Sequence, residues 1–479
     1  MLTTLKNKWF ADGGYAELLR IAIPLILSTG SWSLQQFIDR MFLTWYSPNA
    51  IAAAMPAGMV NWSVISIFVG TAAYVNTFVA QYYGAQRFDR IGASVWQGLY
   101  LALLAEAVAL CVIPFSVSIF SFAGHAPVVQ ELEVTYFRTL CLGMGPLVIS
   151  TAASCFFSGR GKTWVLVWVN VATTFVNIIL DYFLIFGHWH FSEMGIQGAG
   201  LATVLSACFS AAAYLVLFLR PRFRKKYATH KTWRLQKDLF MRLFRFGVPN
   251  GIHHFLDGFA FTVFIMMVGR MGTVELAATN IAFNINALAF MPLIGFGIAV
   301  STLVGQWLGR EKPEIAERST WTGFWVALFY TFLFVAAYLF LPKLFLAPFA
   351  LQADNASFAD VSAIAVILLR FVAFYSVFDM LNIIFAAAIK GAGDTRFVMV
   401  TNIALSWFIL LVPSYLAVSV FKSGIYSMWT AVSAYIMILG IVFLLRFLKG
   451  KWKTMRVIEE LSRPGITKIP ECPTPEAEL

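Results

Sequence analysis

Charge is the first thing this sequence lacks. Asp, Glu, Lys and Arg make up 12% of its 479 residues, against 59% hydrophobic residues and a mean hydropathy of +0.75. A soluble globule carries about 25% charged residues, so a fold covered by water is excluded. Cysteine is scarce as well. Of five, Cys111, Cys141, Cys155 and Cys208 fall in apolar runs and Cys472 in the tail, with no CxxC pair. That excludes a disulfide scaffold or a thiolate metal site, and the cysteines read as small buried hydrophobes. Histidine is limited to six, and neither the HxH of His188 and His190 nor the adjacent His253 and His254 has further ligands at metal spacing. No cofactor and no enzyme chemistry are expected, because no His, Cys or metal constellation lies at a membrane face. A cleavable leader is also missing: Lys6 and Lys8 precede an apolar run that continues into a full span. The alternation every other residue over about ten residues that marks a membrane β-barrel is nowhere seen.

What is present is a series of apolar runs of about 20 residues, the length of a membrane-spanning helix. The fold class is therefore an all-α integral membrane protein. Twelve spans are predicted, over 17–45, 50–81, 93–121, 132–157, 163–186, 197–220, 246–269, 274–307, 317–347, 361–389, 397–421 and 424–447. Between the sixth and seventh lies RPRFRKKYATHKTWRLQKDLFMRLFR, Arg220 to Arg245, with ten Lys or Arg and one acid. Such a stretch reads as a solvated polybasic loop that sets topology. With it inside, the 35 basic residues divide 29 to 6 between inner and outer segments, which puts both termini in the cytoplasm. The net charge of +11 is explained by these loops, not by nucleic acid. The predicted organisation is a cytoplasmic lead over 1–16, a first lobe over 17–220, the linker over 221–245, a second lobe over 246–447 and a tail over 448–479. The stretch from Glu459 to Leu479, with four prolines, reads as disordered.

The two halves repeat. Pro24 matches Pro249, and FVAQYYGAQ (78–86) matches LVGQWLGRE (303–311), both 225 residues on. SGRGKT (158–163) matches KGAGDT (390–395), and Asn170 matches Asn402, both at 232. With six spans per half the repeat is parallel, about an axis along the membrane normal, and a cleft is expected between the lobes. Pro24, Pro114, Pro146, Pro249, Pro292 and Pro413 fall within spans and are candidate kinks.

Four acids stand out inside the spans: Asp39, Asp181, Asp257 and Asp379. Each costs roughly 2.5–3.5 kcal/mol to bury uncompensated, a large sum against a stability of about 5–15 kcal/mol. At 1.5 Å per residue, Asp39, Asp181, Thr203 and Tyr136 reach similar depth in the outer part of the first lobe, and Asn177 lies one turn from Asp181 on the same helix face. In the second lobe Asp257 and Asp379 both lie about 16 Å from the inner face and are close enough in depth to meet. Paired carboxylates at one depth share a proton or hold a hard cation. The structural alternative is an ion pair, with Arg40 or Arg370 as counter-ions.

The order and spacing of IPLILSTGSWSLQQFIDRMFL, FVAQYYGAQ, LVGQWLGRE, NIILDYFLIFG, GIQGAGLATVLS and IKGAGDT resemble the multidrug and toxic compound extrusion (MATE) transporters from about Leu18 to Phe447. The resemblance implies a first-lobe proton or sodium site at Asp39, Tyr136, Asn177, Asp181 and Thr203, and second-lobe acids at Asp257 and Asp379. The family carries Glu or Asp at the first of these two acids. It implies antiport, with inward Na+ (favoured over H+) or H+ driving export of cationic or amphipathic small molecules across a bacterial inner membrane by a monomer. GAQRFDRIG (84–92) is similar to a loop of major facilitator transporters, but Asp89 is one residue out of register. A flippase for lipid-linked oligosaccharides needs a basic cleft, whereas these spans hold mostly acids. An ion channel needs a ring of charge, and these acids cluster within lobes instead.

Overall fold

The computed structural model describes residues 9–122, 125–189, 191–350, 355–421 and 423–459. Twelve long helical segments follow one another in the order predicted. They are α1 (Tyr15–Tyr46), α2 (Pro48–Gly84), α3 (Phe88–Ser121), α4 (Pro127–Cys141 and Met144–Ser158), α5 (Trp164–Phe186), α6 (Ile196–Phe218), α7 (Lys237–Gly269), α8 (Thr273–Gly309), α9 (Pro313–Phe340), α10 (Asn355–Ala392), α11 (Thr395–Ser419) and α12 (Ile425–Leu448). Ten are long and apolar enough alone to cross a membrane, and α4 makes eleven once its two segments, bent by 43°, are joined. The exception, α1, is 32 residues long and so spans about 48 Å. Its apolar window is diluted by Ser31, Ser33, Gln35, Gln36, Asp39 and Arg40, of which Gln35 and Asp39 are buried, Ser31, Ser33 and Gln36 half-buried and Arg40 exposed. The circumference is apolar: Leu103, Trp168, Met266 and Phe329 are each about two-thirds exposed, as a hydrocarbon solvent requires.

Backbone irregularities follow the prolines unevenly. Pro114 lies in a 3-10 turn, Ile113–Phe115, inside α3, and α11 widens into a π-helical turn over Ser406–Leu411 just before Pro413. α4 breaks at Leu142 and Gly143, ahead of Pro146. Pro24, Pro249 and Pro292 sit in continuous helices. Cys141 and Cys155 are buried as expected, but Cys111 and Cys208 are exposed on the apolar circumference.

The polybasic linker exposes Arg222, Arg224, Lys225, Lys226, Lys231 and Arg234, but its backbone is anchored. Pro221–Lys226 is helical, and α7 begins at Lys237, inside the predicted loop. Between them the chain lies along α3. Trp96 Nε1 donates to the Thr229 carbonyl at 2.7 Å, Gln236 N donates to Gln97 Oε1 at 3.2 Å, and the Tyr100 hydroxyl donates to the Trp233 carbonyl. Arg160, at the end of α4, is buried beneath the same segment with its guanidinium 3.8 Å from the Phe156 ring centre and 4.7 Å from that of Tyr227. Stacked contacts of this kind let a desolvated cation sit among apolar groups. Glu459, read as the start of a disordered tail, is ordered and ion-paired; the rest of that tail lies outside the described residues.

The two six-helix lobes meet at the end of the bundle that carries these basic segments, hereafter the basic face. Their contacts come in reciprocal pairs that obey the sequence repeat. A Cβ on Gly84 would overlap the Gln306 carbonyl oxygen, and one on Gly309 would overlap that of Gln81, so α2 and α8 cross at a distance only glycine allows. Gln81 Nε2 donates to the Gly391 carbonyl at 3.0 Å, and Gln306 Nε2 to the Gly159 carbonyl at 2.8 Å. Further along, Gly70 packs on Gly251, and Gly295 packs on Ile26. Beyond Gly295 and Ile26, α1 and α8 diverge, with nothing within 4 Å of the position a Cβ on Gly30 would take, while α2 and α7 stay in contact as far as Trp62 and Gly258.

Candidate functional site

The divergence leaves a cleft between the lobes. Its best-defined part, about 310 Å³, lies between α1 (Ile26, Thr29, Gly30, Ser33) and α8 (Ala287, Leu288, Met291, Pro292). The Ile26–Gly295 contact forms its floor toward the basic face. The walls are mainly apolar, with two hydroxyls on α1. Such a surface accepts amphipathic molecules without fixing their orientation.

In the first lobe, Asp39 of α1 and Asp181 of α5 face each other, 7% and 0% exposed. Their helices pack side by side, held about two to three turns nearer the basic face by Asn170 Nδ2 donating to Ser28 Oγ at 2.5 Å and Thr174 Oγ1 donating to the Ser31 carbonyl at 3.2 Å. No donor lies between the carboxyls. Asp39 Oδ1, both oxygens of Asp181, and both polar side-chain atoms of the fully buried Asn177 lack a hydrogen-bond partner. Five such atoms at one place are exceptional, since buried polar atoms are nearly always satisfied. A proton between the carboxyls, or a small cation among them, removes the deficit. Tyr136 of α4 stands close to both acids and to Arg40. Thr203 is placed on α6 one turn from Gly200, which packs against Tyr136 and Thr139, but none of the described hydrogen bonds joins its hydroxyl to the acids.

The second lobe builds a different site. Asp257 of α7 has its side chain 43% exposed, accepts from Asn402 Nδ2 at 2.7 Å and contacts His253 Nδ1 at 3.2 Å. Asp379 of α10 is 9% exposed and accepts from Asn382 Nδ2 at 3.4 Å. The two acids belong to one electrostatic cluster, with the Tyr435 hydroxyl near both and 3.5 Å from Asn402 Oδ1. They share a neighbourhood, as the depth argument predicted, without bonding each other. Two carboxylates in one neighbourhood suit a hard cation. Among the described residues no ion pair joins Arg370 to any of the four acids, and Arg40 is the one expected counter-ion near Asp39.

These sites are not copies of one another. Position 257 matches Trp32 in the repeat, and position 39 matches Phe264. The frame is shared all the same. Asn170 and Asn402 are equivalent, each approached by a tyrosine hydroxyl, Tyr214 or Tyr435, yet Asn170 serves the neutral Ser28 and Asn402 the acid Asp257.

Sequence reasoning passed over one half-buried acid, one fully buried acid and one partner of Asp257. Glu106 of α3 accepts the Gly145 N–H at 2.7 Å and so caps the second segment of the broken α4. Glu133, fully buried, pairs with His125 at 2.7 Å. Asn402 was visible as half of the repeat, but only the fold shows that it serves Asp257. His253 turns its ring to Asp257, away from a shared metal with His254, and no group of three metal-binding side chains occurs among the described residues. His190 lies outside them.

A family model for MatE matches residues 24–183 and 249–416, thus both lobes. The chain is 26% identical over 447 residues to a probable multidrug resistance protein NorM of Thermotoga maritima, covering 92% of this chain and 94% of that one. It is 28% identical over 386 residues to its namesake from Bradyrhizobium diazoefficiens, covering 80% and 82%. Among solved structures, an outward-facing multidrug resistance MATE family transporter superposes with a TM-score of 0.83 at 18% identity, covering 94% of this chain and 98% of that one. A eukaryotic MATE transporter gives 0.81 at 18%, covering 92% and 96%. The repeated lobes, the cleft between them and a family match through both halves have one conclusion: the chain belongs to the MatE family of multidrug and toxic compound extrusion transporters.

Proposed function

We propose that this protein is an antiporter in which inward sodium or protons drive export of organic cations and other amphipathic compounds through alternating access. The units that move are the lobes 17–220 and 246–447, joined by the segment 221–245, and the basic face with both termini is cytoplasmic. The relatives named as multidrug resistance proteins support the substrate class, and the apolar cleft suits it. The observation that carries the coupling is the facing pair Asp39 and Asp181, buried with no hydrogen-bond donor to Asp39 Oδ1 or to either oxygen of Asp181 among the described residues.

The argument runs through charge. Exporting a cation from a negative interior costs about 2.3 kcal/mol per charge per 100 mV, so an inward cation must offset it. A proton or sodium ion bound at Asp39, Asp181, Asn177 and Tyr136, with Thr203 close by, neutralises a deficit that otherwise disfavours the buried state. Asp257, open to the cleft beside Asn402 and Asp379, offers a second place where ion and cationic substrate meet the same carboxylate. The two neighbouring carboxylates there are hard oxygen ligands that suit sodium. Because open and closed states solvate these acids differently, loading them shifts the equilibrium between states.

The test is transport of a fluorescent organic cation in proteoliposomes under separately imposed sodium and pH gradients, with a cysteine label at Lys231 scoring orientation. Efflux should follow one of the two gradients, with position 231 on the cytoplasmic side. Efflux that ignores both gradients and stops on ATP depletion refutes the reading.

A further inference from the structure

We propose that the basic face carries a carboxylate-binding site built from both lobes, that the chain's own Glu459 fills it, and that Lys451–Glu459 thereby forms a latch across the lobe seam. After α12 the chain reverses at Gly450, whose φ of 69° is the left-handed conformation, and makes a 3-10 turn over Lys451–Thr454. Trp452 is 1% exposed, stacked on Phe447 at 4.9 Å between ring centres, with its Nε1 donating to the Phe447 carbonyl at 2.9 Å. The next anchors lie in the second lobe. Lys453 Nζ meets Glu317 of α9 at 2.6 Å, and Arg456 meets Glu311, in the α8–α9 turn, at 2.9 Å.

The strap then crosses the seam. Val457 N donates to Gln81 Oε1 at 2.9 Å, and Glu459 reaches four donors. Tyr82 of α2 donates its hydroxyl at 2.7 Å, Arg87 and Arg90 of the first lobe stand at 3.2 and 3.8 Å, and Arg242, on the first turns of the second-lobe helix α7 that reach back into the joining segment, at 3.5 Å. Three guanidiniums and a phenol converging on one carboxylate form a charge-assisted anion site. Its members come from both lobes, so the site exists as a whole only while the basic face is closed.

The two ends of the strap differ in kind. The Trp452 end is buried in the second lobe, whereas Glu459 keeps 28% of its side chain accessible and the three arginines keep 27–36%. Ion pairs this wet exchange readily. The strap can therefore stay rooted on α12 while Glu459 leaves the first lobe, which is what opening of this face demands. The latch rests on the alternating access proposed above, and its test separates the two.

The experiment uses the full chain in lipid nanodiscs. Hydrogen exchange reports docking of residues 451–459, and spin labels at Asp89→Cys and Glu314→Cys, in a background without native cysteines, report opening of the basic face. Glu459→Gln, and Lys453→Gln with Arg456→Gln and Glu459→Gln, should speed exchange at 457–459 and raise the open population roughly three- to tenfold, the scale of a cluster of partly exposed ion pairs. Glu459→Asp should retain most of the closed population. Unchanged exchange and unchanged distances in both neutralised variants overturn the proposal. If exchange rises but the labels show one distance under every ion and substrate condition, the anion site stands and alternating access falls.

Discussion

Gln81 and Gln306 are the same residue of the repeat performing the same act in opposite directions. Gln81, in the first lobe, gives its amide to the Gly391 carbonyl of the second, and Gln306 returns the bond to Gly159 of the first. The lobes are thus fastened at one end by a symmetric pair of buried side-chain-to-backbone bonds, beside helices whose glycines permit the approach.

Removing either amide leaves a buried carbonyl unpaired, a loss of about 1–3 kcal/mol from the closed basic face. Gln306→Ala and Gln81→Ala should both favour opening of that face in spin-label distance measurements. Gln81→Ala should do so more, because its Oε1 also accepts from Val457 N. Equal effects of the two would mean that the Val457 bond contributes nothing.

The acids should behave oppositely to structural ion pairs. Asp39→Asn supplies the donor missing between the carboxyls, so melting in detergent should stay level or rise while efflux falls roughly tenfold or more, since the group whose charge distinguishes the two states is gone. Asp257→Asn should likewise keep the fold and abolish coupling. Loss of folding with normal transport by the surviving protein would instead make these acids part of the scaffold.

The latch should ignore physiological acidification. Burial pushes the Glu459 carboxyl up, but the Tyr82 hydroxyl, Arg87 and Arg242 outweigh it and hold it below the ordinary glutamate range. A depressed carboxyl contributes its stability above its unfolded pKa and loses it as the pH falls through the folded one. Protection of 457–459, corrected for intrinsic exchange, should therefore be flat from about pH 8 to about pH 5 and collapse only below about pH 4. A drop centred near pH 6 would show that a different group holds the strap.

Much of this was legible in the sequence because it is periodic or local. Runs of apolar residues gave the helices, the offsets of 225 and 232 gave the two lobes, and rise per residue put Asp39 level with Asp181. What stayed hidden depends on distant partners. α1 runs through the bundle despite its polar residues because Gln35 and Asp39 are buried against neighbouring helices while Thr29 and Ser33 line the cleft. The linker's charges conceal that its backbone lies along α3, since nothing local in the sequence shows that Trp96 and Tyr100 donate to the Thr229 and Trp233 carbonyls. Glu106 was passed over because its partner, the Gly145 N–H, is exposed only by the break in α4. The bend itself has no signal stronger than Gly143, Gly145 and Pro146, which other spans tolerate without breaking.

The clasp at Gln81 and Gln306 also shapes how this seam can change under mutation. Its acceptors are main-chain carbonyls, which every amino acid supplies, so no substitution at 159 or 391 can delete them. What those two positions must preserve is smallness: a Cβ on Gly159 would meet Val79 and the Asn76 carbonyl, and one on Gly391 the backbone of Ser301. The inherited specification of the seam is therefore lopsided, with two glutamines carrying the chemistry and a handful of glycines carrying only the absence of bulk. Drift can break it from the glutamine side in a single step, while on the other side it can only wedge it apart.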